Sequence, residues 1–82
     1  MNKMNIDVHL YATLAEFLPA GAADRTCRLE FDAGARVSDI IERLGIPEKS
    51  VKLIFVNGVH AAKTTKVKDN DRVGFFPPVG GG

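Results

Sequence analysis

The sequence predicts an α+β domain in which a mixed sheet packs on one main helix. Segments of alternating polar and apolar residues, typical of strands, lie on both sides of one clear helical pattern at residues 37–44. Because that helix separates the second main strand from the third, the sheet cannot be purely antiparallel. One long helix covers only one face of a sheet, so we expect a two-layer domain.

The composition bounds the kind of protein. The chain has 82 residues, enough for one domain, and its 45% apolar and 26% charged content is ordinary for a soluble globular protein. No apolar run approaches the roughly 20 residues of a membrane span, and no signal-peptide pattern is present. The single cysteine, Cys27, allows no internal disulfide, which suits a reducing compartment. We therefore expect a cytoplasmic protein that does not bind membranes.

The first half of the chain begins with a half-buried strand at residues 4–11, where apolar residues alternate with polar ones. A short helix is expected next, with Thr13 as its N-cap and Glu16 completing a capping box. Pro19 and the glycine that follows end that segment. Residues 26–31 alternate again and are predicted to form the second strand.

The main helix has apolar residues at the spacing of one helical face. Ser38 is predicted to cap its first turn, where Asp39 suits the positive end of the helix dipole. Gly45 fits the left-handed position after the last turn, Ile46 supplies the accompanying apolar contact, and Pro47 prevents continuation.

The second half of the chain is predicted to form strands and tight turns. Residues 52–56 are almost wholly apolar, which predicts a strand covered on both faces. Asn57-Gly58 predicts a type I′ hairpin into a return strand at residues 59–61. Residues 68–71 are predicted to turn the chain into the last strand, residues 72–76.

Candidate internal sites are few. His9, His60 and Cys27 do not have the spacing of a metal site, so we expect no bound metal. Cys27 alternates with apolar neighbours and is interpreted as a buried apolar residue rather than a nucleophile. Asp69 and Asp71 are better explained by turn formation than by a carboxylate pair. The chain therefore is predicted to be a substrate or carrier, not an enzyme.

The net charge of +1 gives no support to nucleic-acid binding. Residues 49–72 contain six basic and two acidic residues, whereas the rest of the chain has five basic and eight acidic ones. This asymmetry either steers a partner or is a solvated surface without a specific role.

Six residues follow the last strand: Pro77, Pro78, Val79, Gly80, Gly81 and Gly82. Two prolines end a strand ladder, and three glycines form a segment without side chains. Fully extended, residues 79–82 reach roughly 13 Å from the domain. Either the carboxylate of Gly82 is the reactive group, delivered into a narrow channel of another protein, or the segment is an inert frayed end.

Phe75 and Phe76 are adjacent on a strand, so their side chains point to opposite faces of the sheet. If Phe75 faces the core, Phe76 lies on the other face, beside the start of the tail. It either anchors a partner or packs as an ordinary aromatic residue.

The whole chain resembles the small, sulfur-carrying subunit of molybdopterin synthase, a family with a ubiquitin-like β-grasp fold. The most specific part of the resemblance is the run Phe-Phe-Pro-Pro-Val ahead of the glycines at residues 75–82. The helix start at residues 37–39, the hairpin at residues 55–58 and the turn at residues 68–71 also resemble the family. Position 80 is Gly where the family often has Ala. The resemblance implies a β-grasp domain at residues 1–78 and a flexible tail at residues 79–82.

The resemblance also implies a function for the tail. An E1-like enzyme would use ATP to adenylate the Gly82 carboxylate, and a sulfur donor would convert it to a thiocarboxylate. Gly81 would keep the tail thin in the active sites of partners, while Phe76, Pro77 and Pro78 would contact the large subunit of molybdopterin synthase. No cofactor would be bound by this chain itself.

Related carriers are alternatives to the molybdopterin assignment. The thiamine-thiazole sulfur carrier shares the fold, the tail and the activation chemistry, and carriers also serve tungsten cofactor or cysteine synthesis. A protein modifier, whose Gly82 is joined to lysines by an isopeptide bond, belongs to a different functional class.

Overall fold

The computed structural model describes residues 2–20, 22 and 24–78. Its strands are β1 (Lys3–Leu10), β2 (Thr26–Asp32), β3 (Leu53–Val56), β4 (Val59–His60) and β5 (Arg72–Phe76). The α-helix, α1, spans Val37–Leu44, and short 3-10 helices span Ala12–Phe17 and Glu48–Ser50.

The strands form one mixed sheet in the order β2-β1-β5-β3-β4. The central strands β1 and β5 run parallel, with Val8 opposite Val73, and the other neighbours pair antiparallel. This arrangement confirms the mixed sheet predicted from the position of the helix.

The core lies between one face of the sheet and the apolar stripe of α1. Alternate residues of β1 and the inward residues of β5 are fully buried, including Val8 and Phe75, each with 0% of its surface exposed. They share one cluster with the α1 residues Val37, Ile40 and Ile41. The predicted two-layer architecture and the predicted apolar stripe of the helix are therefore confirmed.

The start of α1 differs from the prediction, because Arg36 and not Ser38 is the N-cap. The carboxylate of Asp39 accepts a hydrogen bond from the Arg36 amide at 2.8 Å, while Ser38 lies exposed inside the first turn. The amides of Val37 and Ser38 donate to carbonyl groups in the loop before β5, each at 2.9 Å. These loop carbonyls satisfy the free amides of the first two helical residues.

The end of α1 confirms the prediction. Gly45 has φ 72° and ψ 22°, the left-handed conformation that a side chain disfavours. The Ile46 amide donates to the Ile41 carbonyl at 3.1 Å, and the Ile46 side chain is buried.

The predicted short helix is present, but the predicted Thr13 capping box is wrong. The segment is a 3-10 helix that begins at Ala12, is flanked by Tyr11, and has no side-chain cap hydrogen bond. Three residues per turn place Leu14 and Phe17 on the same side, where Leu14 is buried and Phe17 packs against the core. Burial of this pair, rather than capping, explains the tighter helix.

The prediction that β3 is covered on both faces is also wrong. Ile54 is buried, but Leu53 is 36% exposed and Phe55 is only half-buried. Among the described residues, the single α-helix packs on the opposite face of the sheet. The outward apolar side chains of β3 therefore stay accessible.

The predicted turns are confirmed. Asn57 and Gly58 have φ 53° and 82°, as a type I′ hairpin requires, although β4 is one residue shorter than predicted. In the turn before β5, the Asp71 amide donates to the Lys68 carbonyl at 3.0 Å, and the Asp71 carboxylate accepts from the Lys68 amide at 2.8 Å. Asp69 accepts from the Asn5 amide at 2.8 Å. Asp71 therefore serves turn structure, as expected, and Asp69 connects the turn to β1.

Candidate functional site

The open face of the sheet carries a group of rings that we name the aromatic patch: His9, Tyr11, Phe55, His60 and Phe76. Strand register places these residues on one face, because β1 and β3 pair with β5 so that His9 and Phe55 both lie opposite Gly74. Since Val73 and Phe75 are fully buried, the alternate residues Gly74 and Phe76 face away from the core, as predicted for Phe76.

The rings of the patch contact one another in defined geometries. Tyr11 and Phe76 stack with centroids 4.2 Å apart and planes 2° apart. Phe55 meets Phe76 edge to face at 5.7 Å and 84°, and it meets His60 at 5.7 Å and 73°. Such pairs contribute roughly 0.5–1.5 kcal/mol each beyond the area they bury. Phe76 thus packs against two rings of its own chain and stays partly exposed, while its role as a partner anchor stays a prediction.

Gly74 provides the room for this packing. A Cβ atom on Gly74 would lie 3.2 Å from Cε2 of Tyr11, closer than ordinary van der Waals contact. The absent side chain admits the Tyr11 ring, and beside it lies a depression of about 380 Å³, here named the Gly74 notch. It is lined by His9, Tyr11, Phe55, Gly58, Arg72, Gly74 and Phe76.

The patch lies where the domain ends. The Phe76 carbonyl accepts from the Lys52 amide at 2.7 Å, which holds the last residue of β5 in the sheet. Pro77 is half-buried and Pro78 is exposed, and neither has an amide to extend the ladder. The predicted reactive tail, Val79, Gly80, Gly81 and Gly82, lies outside the described residues.

Charged side chains occupy the other half of the open face. The Arg28 guanidinium donates to the Asp7 carboxylate at 2.6 Å and to the Asn70 side-chain oxygen at 2.7 Å. Arg72 lies opposite Asp7 in the neighbouring strand, yet its guanidinium has no hydrogen bond or ion pair to any residue that the structure describes. An unpaired cation therefore adjoins the Gly74 notch.

Groups able to hold a metal or act as a nucleophile are scarce in the described chain. Within residues 2–20, 22 and 24–78, no cluster of three or more His, Cys, Asp or Glu side chains could bind a metal ion. Cys27 is half-buried against the core, less deeply than predicted, and burial raises the pKa of its thiol. The thiol is therefore mostly protonated at neutral pH, which disfavours a nucleophilic role. None of the helices in this part of the chain has the length and apolarity needed to cross a bilayer.

Sequence reasoning identified Phe76 but missed most of its surroundings. Tyr11 had the signal, since the strand predicted at residues 4–11 placed it on the same face as His9. Gly74 carried no local signal, because its role depends on side chains from the two neighbouring strands.

Several solved structures are similar to this chain over nearly its full length. Small archaeal modifier protein 1 from Haloferax volcanii is 27% identical, with 93% of this chain and 99% of that chain covered and a TM-score of 0.73. The protein of the same name from Methanosarcina acetivorans is 25% identical, with both chains fully covered and a TM-score of 0.68.

A Pyrococcus furiosus protein described as molybdopterin converting factor, subunit 1, is 30% identical, with 93% of this chain and 99% of that chain covered and a TM-score of 0.69. These similarities confirm the predicted ubiquitin-like β-grasp fold and the resemblance to small ubiquitin-like carriers.

A comparison with curated proteins gives no match. The family model for the Mut7-C ubiquitin domain, in contrast, matches residues 3–80. Because that match spans nearly the whole sequence, this chain belongs to the Mut7-C ubiquitin family.

Proposed function

We propose that this protein is a sulfur carrier whose Gly82 carboxylate is adenylated and then converted to a thiocarboxylate. The observation that carries the proposal is the position of Phe76. This residue presents a partly exposed ring on the open face of the sheet, directly before Pro77-Pro78 and the glycine segment. A partner that receives the tail would therefore meet an aromatic surface at its root.

The chemistry of the proposed step needs groups that other proteins supply. A carboxylate oxygen of Gly82 attacks the α-phosphorus of ATP and pyrophosphate leaves, which gives an acyl adenylate. Sulfide (HS⁻) released by the donor then attacks the carbonyl carbon, AMP leaves with the bonding electron pair, and loss of the sulfur-bound proton gives the thiocarboxylate. The activating enzyme binds the ATP, and this chain contributes the acyl group.

Molybdopterin synthesis is the first candidate pathway for the sulfur. The similarity to the Pyrococcus furiosus protein described as molybdopterin converting factor, subunit 1, supports it. In that role Phe76, Pro77 and Pro78 contact the large synthase subunit while the tail enters its active site.

Protein modification is the second candidate function, and the similarity to small archaeal modifier proteins favours it. The same adenylate would then be attacked by a lysine amine of a target protein, with AMP as the leaving group and an isopeptide bond as the product.

Mass spectrometry of the intact protein tests the proposal. After incubation with ATP, a sulfur donor and the activating enzyme for molybdopterin synthesis, we expect a mass gain equal to the replacement of one oxygen atom by sulfur. A chain lacking Gly82 is the matched control and should gain nothing. Purification from the native cells checks that Gly82 is the terminal residue.

Two results would redirect the proposal. Unchanged mass with a working positive control removes this pathway, and the thiazole-pathway activating enzyme is tested next. Conjugates in which Gly82 is linked to lysines of other proteins assign the modifier function.

A further inference from the structure

The Gly74 notch has four walls that differ in chemistry. His9 and Phe55 stand on either side of Gly74 in the neighbouring strands, while Arg72 and Phe76 precede and follow it on β5. Gly74 itself is buried beneath the Tyr11 ring and forms the floor. The notch is therefore aromatic on three sides and cationic at one end.

Size limits what the notch can take. A cavity of roughly 150 Å³ holds benzene, so a depression of about 380 Å³ accepts one aromatic or branched aliphatic side chain together with its backbone. It is too small for a helix, whose diameter with side chains is about 10–12 Å.

The charge of Arg72 sets a second requirement for a ligand of the notch. The Arg72 guanidinium is exposed and has no partner among the described residues, whereas the neighbouring Arg28 is held by Asp7 and Asn70. An incoming carboxylate would meet Arg72 without first breaking an ion pair. Because Arg72 and Gly74 are two residues apart on an extended strand, their side-chain positions differ by about 7 Å along β5.

We propose that the Gly74 notch binds an extended partner segment in which an apolar side chain lies two residues from an Asp or Glu. The apolar side chain packs beside the Tyr11 ring that covers Gly74, against the exposed surfaces of Phe55 and Phe76. The carboxylate pairs with Arg72. This inference rests on the proposed function, since it names the chemistry by which a partner that takes the tail recognises the domain.

The probe 4-phenylbutyrate carries a ring and a carboxylate at a comparable separation. Titration into the full 82-residue chain, followed by amide NMR, should give saturable shifts centred on Arg72, Gly74 and Phe76. The neutral 4-phenylbutanamide should bind about two- to fivefold more weakly, the usual range for an exposed ion pair.

Variants separate the notch from general charge effects. Arg72→Gln should abolish the preference for the carboxylate, and Lys68→Gln, which removes an exposed cation outside the notch, should retain it. Amide peak dispersion shows that each variant is folded. Shifts that centre elsewhere, equal affinity for acid and amide, or an unchanged preference in Arg72→Gln would overturn the inference.

Two other occupants have distinct signatures, and either would overturn the partner assignment. If deletion of residues 79–82 moves the Gly74 and Arg72 resonances, the chain's own tail occupies the notch. If dilution without probe moves them, a second copy does. The titration requires no sulfur chemistry, so its failure and a failure of the Gly82 mass measurement are separate results.

Discussion

Tyr11 stacks on Phe76 with ring centroids 4.2 Å apart and planes 2° apart, although the two residues lie near opposite ends of the chain. The parallel pairing of β1 with β5 places them side by side, and the Tyr11 amide donates to the Phe75 carbonyl at 3.2 Å. The stacked pair thus joins the end of the first strand to the residue that precedes the tail.

Removal of the Tyr11 ring should destabilise the domain and free Phe76. We expect Tyr11→Ala to lower the free energy of unfolding by about 1–2 kcal/mol, from the lost stacking and the lost apolar contact. Tyr11→Phe keeps the ring and should change it by less than about 0.5 kcal/mol. Urea denaturation measures both, and equal losses in the two variants would show that the hydroxyl, not the ring, matters.

Gly74→Ala tests whether the floor of the notch must lack a side chain. Replacing glycine by alanine stabilises a protein by roughly 0.4–1 kcal/mol, because it lowers the conformational entropy of the unfolded chain. Overpacking in the folded state costs about 1–3 kcal/mol. Because the ring that the new Cβ meets at 3.2 Å is held against Phe76, overpacking should dominate. In a Tyr11→Ala background the cost should vanish, and a cost that persists there would contradict the contact.

Substitutions of Asp39 and Ser38 distinguish the observed start of α1 from the serine cap predicted from the sequence. Asp39→Ala should lower the free energy of unfolding by about 1 kcal/mol, because the Arg36 amide loses its acceptor and the helix dipole loses an anion. Ser38→Ala should have almost no effect, since Ser38 lies exposed within α1. Thermal or urea unfolding measures the free energy of unfolding of both variants. A larger decrease for Ser38→Ala than for Asp39→Ala would support Ser38 as the N-cap.

The half-buried Cys27 should react slowly with alkylating agents in the folded protein. Burial raises the pKa of the thiol, so less thiolate is present at a given pH than in the unfolded chain. The contribution of this thiol to the free energy of unfolding is complete at pH values below the pKa that the thiol has in the unfolded chain. It is lost as the pH rises through the pKa of the thiol in the folded protein. Iodoacetamide rates measured against pH should show a midpoint above that of the chain in denaturant. Equal midpoints in the folded protein and in denaturant would show that burial does not raise the pKa of the thiol.

Phe76→Ala should impair partner recognition more than folding. An aromatic anchor at an interface is often worth about 2 kcal/mol, so we expect KM for the carrier in the activation or transfer reaction to rise by ten- to thirtyfold. The matched variant Leu53→Ala removes an exposed side chain from the same face outside the notch. An equal effect of both variants on KM would point to the general apolarity of the face.

The sequence by itself determined the hairpin turn, the end of α1 and the alternation of side chains in the last strand. Asn57-Gly58 specified the hairpin and Gly45 the end of α1, because these positions require positive φ. Strand alternation placed Phe75 inward and Phe76 outward, since successive side chains of a strand point to opposite faces.

Only the tertiary structure decided which distant residues meet. The pairing of β1 with β5 brought Tyr11 over Gly74 and against Phe76, and no local pattern encodes that neighbour. The start of α1 also depends on distant residues, because the amides of Val37 and Ser38 donate to carbonyl groups of the loop before β5. Ladder pairing and packing are non-local, so their outcome depends on how the whole sheet assembles rather than on any one segment.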